Sequence, residues 1–126
     1  MDKIILNTPD APAPIGPYSQ AVMVGNLLFI SGQVEINPAT GNVEAKVVTE
    51  ETHQVMKNLK AILAEAAIDF NRVVKTTIFL SDMSLFAAVN EVYGSYFKGD
   101  FPARETVAVK GLPKNVSVEI SMIAAK

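Results

Sequence analysis

The segment from Val73 to Leu80 constrains the fold most, because β-branched and apolar residues occupy both of its alternating phases. Successive side chains of a strand point to opposite faces, so this pattern predicts a central strand that is buried on both faces. A chain of 126 residues is long enough to bury such a strand within one packed core. We therefore expect a single domain over residues 1–126, organised around a sheet.

Helical periodicity predicts one helix before this strand and one after it. In the first, over residues 50–67, apolar side chains recur from Val55 at helical spacing, and Thr49 is suited to cap the N-terminus. The second covers about residues 84–97. The other apolar runs predict strands, namely a hairpin of residues 20–24 and 27–34 around Gly25-Asn26 and two closing strands at 106–109 and 116–124.

This order of elements predicts an α+β fold with a mixed sheet. Strand–helix–strand crossovers are right-handed, which places both helices on the same face of one sheet. The opposite face is left bare, and the two-sided apolar pattern of residues 73–80 makes it a poor surface for water. We expect a homo-oligomer that closes over this face, with any pocket between subunits.

Composition excludes several classes of function. Because the chain has no Cys, disulfides, thiolate zinc sites and thiol nucleophiles are impossible. His53 is the only His, and its place opposite the apolar stripe of the first helix predicts an exposed, inert residue. A net charge of −2 without a Lys or Arg cluster disfavours nucleic-acid binding. No apolar stretch has the length of a signal peptide or a membrane helix, so we expect no membrane association and a cytoplasmic location.

Two charged residues are the leading candidates for chemistry. Arg104 follows Phe101-Pro102-Ala103, where a guanidinium can hold a carboxylate through two hydrogen bonds; the alternative is a surface ion pair with Glu105. Glu119 is the only charge in the last strand, and it either acts as a partly buried general base or simply faces solvent. The other arginine, Arg72, is predicted to be a solvated loop charge.

The remaining candidates are polar or small residues, each with a structural alternative. Tyr18 follows the proline-rich segment from Thr8 to Pro17 and either donates to a ligand or closes the edge of the core. Ser31-Gly32 interrupts a predicted strand, which indicates close approach of another group or a bulge. Asn90 lies beside the apolar stripe of the second helix and is either a ligand contact or a polar flank residue.

Five short strings are spread over nearly the whole chain. They are Ala13-Pro14-Ile15-Gly16-Pro17-Tyr18-Ser19-Gln20, Ile30-Ser31-Gly32-Gln33, Val89-Asn90-Glu91-Val92-Tyr93, Phe101-Pro102-Ala103-Arg104 and Val118-Glu119-Ile120. In this order and spacing they resemble the RidA/YjgF family of enamine/imine deaminases. The proline–tyrosine string and the Pro-Ala-Arg string are the most specific of the five.

The resemblance implies a chorismate-mutase-like α+β fold, a homotrimer, and three clefts between subunits. It implies hydrolysis of 2-iminopropanoate or 2-iminobutanoate, through their enamine tautomers, to a 2-oxo acid and ammonia. Pyridoxal-phosphate dehydratases that act on serine and threonine release these substrates. No cofactor is implied for this chain.

The resemblance also implies roles for individual residues. Arg104 resembles the arginine that holds the substrate carboxylate, and Glu119 the glutamate that orients or activates the attacking water. The other positions that match the site of the family are Tyr18 in the cleft, Ser31 and Gly32 beside the substrate, Asn90 on the helix, and Thr106, whose backbone faces the ligand.

Two positions depart from the family pattern. Glu105 stands directly after the predicted carboxylate-binding arginine, where a small polar residue is common. If the segment is extended, the two side chains diverge and the arginine stays available; if the two residues turn together, Glu105 weakens the hold on the carboxylate and shifts the substrate range. Thr106 takes a position that is Cys in many members. The same clefts also fit a non-catalytic regulator that binds small carboxylates, whereas ribonuclease activity, attributed to some relatives, conflicts with the acidic balance of the chain.

Overall fold

The computed structural model describes all 126 residues. Its main sheet contains six strands, in the spatial order β1, β2, β3, β8, β6, β7. The strands of the chain are β1 Lys3–Leu6, β2 Ala21–Val24, β3 Leu27–Gln33, β4 Ile36–Asn37, β5 Asn42–Val43, β6 Val73–Leu80, β7 Ala103–Ala108 and β8 Val118–Ala125, and the helices are α1 Val48–Glu65 and α2 Phe86–Gly94. Strands β6 and β7 are parallel and the other neighbours are antiparallel, so the predicted mixed sheet is confirmed.

The central strand has the predicted bounds and the helices cover one face of the sheet, as predicted. Helix α1 contacts α2, β3 and β8. The stripe of α1 supplies Val55, Leu59 and Ile62 to a core in which Ile78 of β6 and Ile120 of β8 are fully buried. The alternation along β8 therefore places every second residue of that strand against the helices.

Several predicted boundaries were wrong by a few residues. Helix α1 begins at Val48, after Val47 and without a side-chain cap, so Thr49 lies inside the helix. Helix α2 is shorter than predicted, because a 3₁₀ turn at Met83–Leu85 precedes it and α-helical structure ends at Gly94. Strand β7 begins three residues early, at Ala103, where parallel pairing with β6 begins. Strand β8 begins late, at Val118.

The late start of β8 has one cause in the preceding turn and a second in a contact with α1. Lys114 and Asn115 adopt positive φ angles of 57° and 55°, which are incompatible with a strand. The carboxylate of Glu51, in the first turn of α1, then accepts hydrogen bonds from the backbone N–H groups of Ser117 at 2.7 Å and Val118 at 2.8 Å. The N-terminus of α1 thus fixes the start of the strand that carries Glu119.

The face of the sheet opposite the helices is less apolar than the sequence indicates. Phe29 is 42% exposed there, and it lines a shallow depression of about 250 Å³ with Ile123, Thr77, Ser121 and Lys75. The prediction that β6 is apolar on both sides was therefore wrong for this face. Exposed aromatic and aliphatic carbon still makes it a surface suited to association.

Candidate active site

All the predicted site residues except Thr106 line one of two separate pockets. One, of about 320 Å³, lies beside α2 and the start of β7, and it is lined by Arg104, Asn90, Tyr93, Gly94, Phe101 and Pro102. The other, of about 340 Å³, lies beside the bulge in β3, and its lining includes Tyr18, Ser31, Gly32 and Glu119. The structure thus gathers the candidates into two groups and keeps Arg104 apart from Glu119.

The sheet itself separates Arg104 from Glu119. Arg104 pairs in register with Thr76, which is fully buried under the helices. Glu119 pairs in register with Phe79, three residues further along the same strand. Side chains of residues paired in register lie on the same face of the sheet, whereas side chains an odd number of residues apart along one strand lie on opposite faces. The side chains of Arg104 and Glu119 therefore leave opposite faces of the sheet. A single copy of the chain cannot direct both at one small molecule.

The Arg104 guanidinium has no carboxylate partner within the chain. Its only sequence neighbour of opposite charge, Glu105, points to the other face and forms the one salt bridge of the structure, with Lys75 at 2.9 Å. This ion pair, with a contact from Thr77, lowers the pKa of the exposed Glu105 carboxyl. The sequence left open an Arg104–Glu105 pair, and the structure rules it out because the backbone is extended at both residues.

Aromatic rings hold the Arg104 guanidinium instead. Its Cζ atom lies 5.3 Å from the centre of the Tyr93 ring and 5.7 Å from that of Phe86. Tyr93 of α2 and Phe101, which precedes β7, line the pocket, so it is mostly apolar around one cation; Phe86 of α2 lies beside the guanidinium outside this lining. None of these three residues was among the predicted site residues, although Tyr93 and Phe101 stand in two of the five strings; the spacing of Val89 and Tyr93, one helical turn apart, was a further signal for Tyr93.

The second pocket contains a carboxylate with an altered proton affinity. Glu119 is partly buried, and burial raises the pKa of its carboxyl above the ordinary value for glutamate. The prediction left open a partly buried base or a solvent-facing residue; the side chain is partly buried, and its role as a base stays a prediction. A partly buried carboxylate that retains access to a pocket can accept a proton from water.

Gly32 leaves room for that carboxylate. A bulge between Ile30 and Gln33 displaces the strand, and a Cβ added to Gly32 would lie 2.6 Å from Oε1 of Glu119. The two explanations that the sequence offered for Ser31-Gly32 therefore both hold. Ser31 stabilises the bulge, because its Oγ donates to the carbonyl of Ser19 at 2.6 Å and its N–H to that of Gln20 at 3.0 Å.

Replacing Gly32 with alanine is expected to displace the Glu119 carboxylate and leave the fold intact. No real Cβ tolerates a 2.6 Å contact, so the flexible glutamate side chain must move. Gly111→Ala is the matched control, since a Cβ there meets no atom within 4 Å. Thermal unfolding should show that both variants fold, and a crystal structure of Gly32→Ala should show the Glu119 carboxylate displaced from residue 32; an unmoved carboxylate would contradict the close contact.

The other predicted residues occupy distinct surroundings. Tyr18 is 49% exposed, so it does not close the core, and its hydroxyl accepts a hydrogen bond from the Ile15 N–H at 3.3 Å. Thr106 lies on the helix-covered face like Arg104, and its buried Oγ1 has no partner. His53 is exposed, as predicted, but its Nδ1 lies 2.9 Å from the Tyr96 hydroxyl.

Arg72 behaves as predicted for a surface loop residue, with its Nε donating to the Ala125 carbonyl at 2.9 Å. None of the helices combines the length and the apolar character that crossing a bilayer requires. No group of three or more His, Asp or Glu side chains is arranged to hold a metal ion.

Known proteins share this architecture over its whole length. The crystal structure of RidA from the Antarctic bacterium Psychrobacter sp. PAMC 21119 aligns with a TM-score of 0.94 at 41% identity, covering 98% of this chain and 99% of that one. The structure of E. coli TdcF with bound serine aligns with a TM-score of 0.93 at 38% identity, covering 98% of each chain. The fold is therefore that of the Rid proteins.

Sequence comparison narrows this class to a family. The family model described as Endoribonuclease L-PSP matches residues 8–126, and the chain belongs to this family, which is the RidA/YjgF family indicated by its motifs. The mouse 2-iminobutanoate/2-iminopropanoate deaminase is 49% identical over 122 residues, covering 97% of this chain and 90% of the mouse protein. A RutC family protein of Pyrococcus horikoshii is equally similar, at 49% over 124 residues and 98% of both chains.

Proposed function

We propose that this protein hydrolyses 2-imino acids, in equilibrium with their enamine tautomers, to 2-oxo acids and ammonia. The observation that carries the proposal is the pair of pockets, one with an unpaired guanidinium and one with a half-buried carboxylate of raised pKa. A guanidinium edge binds the carboxylate that every 2-imino acid carries. The relatives named as deaminases support the same reaction for this family member.

The reaction needs little beyond positioning and one proton carrier. Water attacks C2 of the imine and a C–O bond forms as the C=N π electrons move to nitrogen; Glu119 accepts the water proton and returns it to nitrogen, which gives the neutral carbinolamine. Glu119 then accepts the hydroxyl proton and delivers it to the amino group as the C=O bond forms and the C–N bond breaks, so neutral ammonia leaves and Glu119 is ionised again. An enamine substrate first gains a proton at C3 and loses one from nitrogen. Orientation by Arg104 and one positioned base are sufficient for such an electrophilic carbon.

The opposite placement of Arg104 and Glu119 supports a site shared between copies. The sheet separates the two side chains within one chain, so the guanidinium pocket of one subunit must face the carboxylate pocket of a neighbour. We propose the homotrimer that the motifs imply, with three such clefts closed around the exposed face of the sheet that carries Phe29 and Ile123. Asn90 and Thr106 would enter each cleft with Arg104, and Tyr18, Ser31 and Gly32 with Glu119.

The proposed substrates are products of elimination chemistry. Pyridoxal-phosphate-dependent dehydratases acting on serine and threonine release 2-aminoacrylate and 2-aminocrotonate, whose imine tautomers are 2-iminopropanoate and 2-iminobutanoate. A non-catalytic regulator would need the guanidinium pocket but would have no use for a carboxylate of raised pKa. That carboxylate favours the enzyme.

The direct test generates 2-iminobutanoate in the assay with threonine dehydratase and traps it with semicarbazide. The wild-type protein should reduce semicarbazone formation and accelerate release of 2-oxobutanoate and ammonia. An intact oligomer that leaves trapping unchanged would contradict the proposed activity. In that case, titration with 2-oxobutanoate would show whether the clefts bind small carboxylates without catalysis.

A further inference from the structure

The way in which Arg104 is held suggests a role for the aromatic rings beside it. The Tyr93 and Phe86 rings lie 5.3 and 5.7 Å from the guanidinium carbon, and no carboxylate of the chain pairs with it. We propose that Tyr93, with Phe86, is a positioning residue that holds Arg104 by the faces of the guanidinium and leaves its N–H edge free for the substrate carboxylate. This inference rests on the proposed function.

Tyr93 is itself rigidly placed. It is 4% exposed, and its hydroxyl donates to Oγ1 of Thr76 at 2.9 Å. Thr76 is fully buried and is the register partner of Arg104 in the neighbouring strand. The ring is thereby tied to the same pair of strands that fixes the Arg104 backbone, so the distance between ring and guanidinium is set by the sheet.

The aromatic contact also differs from the usual support of an arginine by an acidic side chain. A carboxylate that paired with Arg104 would occupy the N–H edge and compete with the substrate, whereas an aromatic ring interacts through its negative face. Glu105, the acidic residue next in sequence, is bound to Lys75 on the opposite face of the sheet. The local structure therefore holds the Arg104 guanidinium in place and leaves it without a carboxylate partner.

The remaining aromatic residues provide a matched control. Phe97 packs against Tyr93 with ring centres 4.9 Å apart, and it contacts Phe70 at 5.5 Å on its other side. Phe97 belongs to the same aromatic cluster but forms no cation–π contact with the guanidinium. Phe97→Leu tests the effect of disturbing the aromatic cluster on stability and affinity. Tyr93→Leu tests the same effect together with loss of the cation–π contact.

The experiment measures KM and kcat for 2-iminobutanoate and the Kd of 2-oxobutanoate. Tyr93→Leu should raise KM and Kd by about 3- to 30-fold, the range of one cation–π contact, and lower kcat less. Tyr93→Phe keeps the ring and should retain most of the affinity. Phe97→Leu should lower the melting temperature without raising Kd.

The outcomes separate this inference from the proposed function. Wild-type protein that neither binds 2-oxobutanoate nor deaminates would overturn both. Active wild-type protein with an unchanged Kd in Tyr93→Leu, or with an equal rise in Kd in Phe97→Leu, would overturn the positioning role alone. If Tyr93→Leu does not fold, Phe86→Leu replaces it, because Phe86 is 36% exposed and contributes little to the core; an unchanged Kd in that variant would likewise contradict the role.

Discussion

Replacing Arg104 with alanine is expected to lower kcat/KM for 2-iminobutanoate by about 100- to 20,000-fold. Two charge-assisted hydrogen bonds to a carboxylate account for a loss of this size, since each contributes about 1.5–3 kcal/mol and 1.4 kcal/mol is tenfold. The guanidinium forms no salt bridge within the chain, so its removal should leave the fold and the oligomer intact. Semicarbazide trapping measures the activity, and light scattering measures the size of the particle.

The chain contains a matched control for this variant. Arg72, the only other arginine, donates to a backbone carbonyl on the surface, so Arg72→Ala should keep wild-type turnover. Arg104→Lys retains the charge without the planar fork and should be intermediate. An Arg104→Ala oligomer with activity close to that of the wild type would exclude a role for this residue in holding the carboxylate.

Glu119→Gln is expected to lower kcat by about 100- to 10,000-fold, the range contributed by a positioned general base. The amide has the shape of the carboxyl group but cannot accept a proton, so binding of 2-oxobutanoate should change little. Glu105→Gln is the matched control, because Glu105 lies on the same face of the sheet but pairs with Lys75. Preserved turnover in Glu119→Gln, or a loss confined to binding, would contradict the assignment.

The pH dependence of kcat in the wild-type protein is a second test of Glu119 as the base. Glu119 must be ionised to accept a proton, and burial raises its pKa, so kcat should decline with falling pH already above the ordinary glutamate range.

The raised pKa of Glu119 also affects the stability of the fold. The folded state binds this proton more tightly than the unfolded state, so ionisation of Glu119 destabilises the fold as pH rises through the raised pKa. Glu119→Gln should therefore be at least as stable as the wild type at neutral pH, which separates lost catalysis from unfolding.

Much of the fold could be predicted from the periodicity of the apolar residues. The central strand was placed correctly because nothing in residues 73–80 interrupts it, and the stripe of α1 is buried from Val55 to Leu63. The ends of the elements were less predictable, since they depend on tertiary contacts. The carboxylate of Glu51, 67 residues from Val118 along the chain, determines where β8 begins, and no local pattern encodes such a contact.

Only part of the arrangement of the candidate site could be predicted from the sequence. Alternation in the last strand correctly placed Glu119 on the face away from Val118 and Ile120. Arg104 was not assigned to a face, because the predicted strand began after it, whereas the observed strand includes it. The separation of the two side chains by the sheet follows from the parallel register of β6 and β7 together with the antiparallel register of β6 and β8. The contact of Arg104 with Tyr93 depends on the first of these registers.

Coexpression of Arg104→Ala and Glu119→Gln subunits tests the shared site most directly. Each variant alone should be nearly inactive, and each site of a mixed trimer needs an intact arginine from one subunit and an intact glutamate from its neighbour. Random assembly at equal amounts restores about one site in four of the whole mixture, and every mixed trimer has about one intact site in three, so the differently tagged, copurified mixed trimers should regain about a third of wild-type deamination. Mixed trimers no more active than the single variants would contradict a cleft shared between subunits.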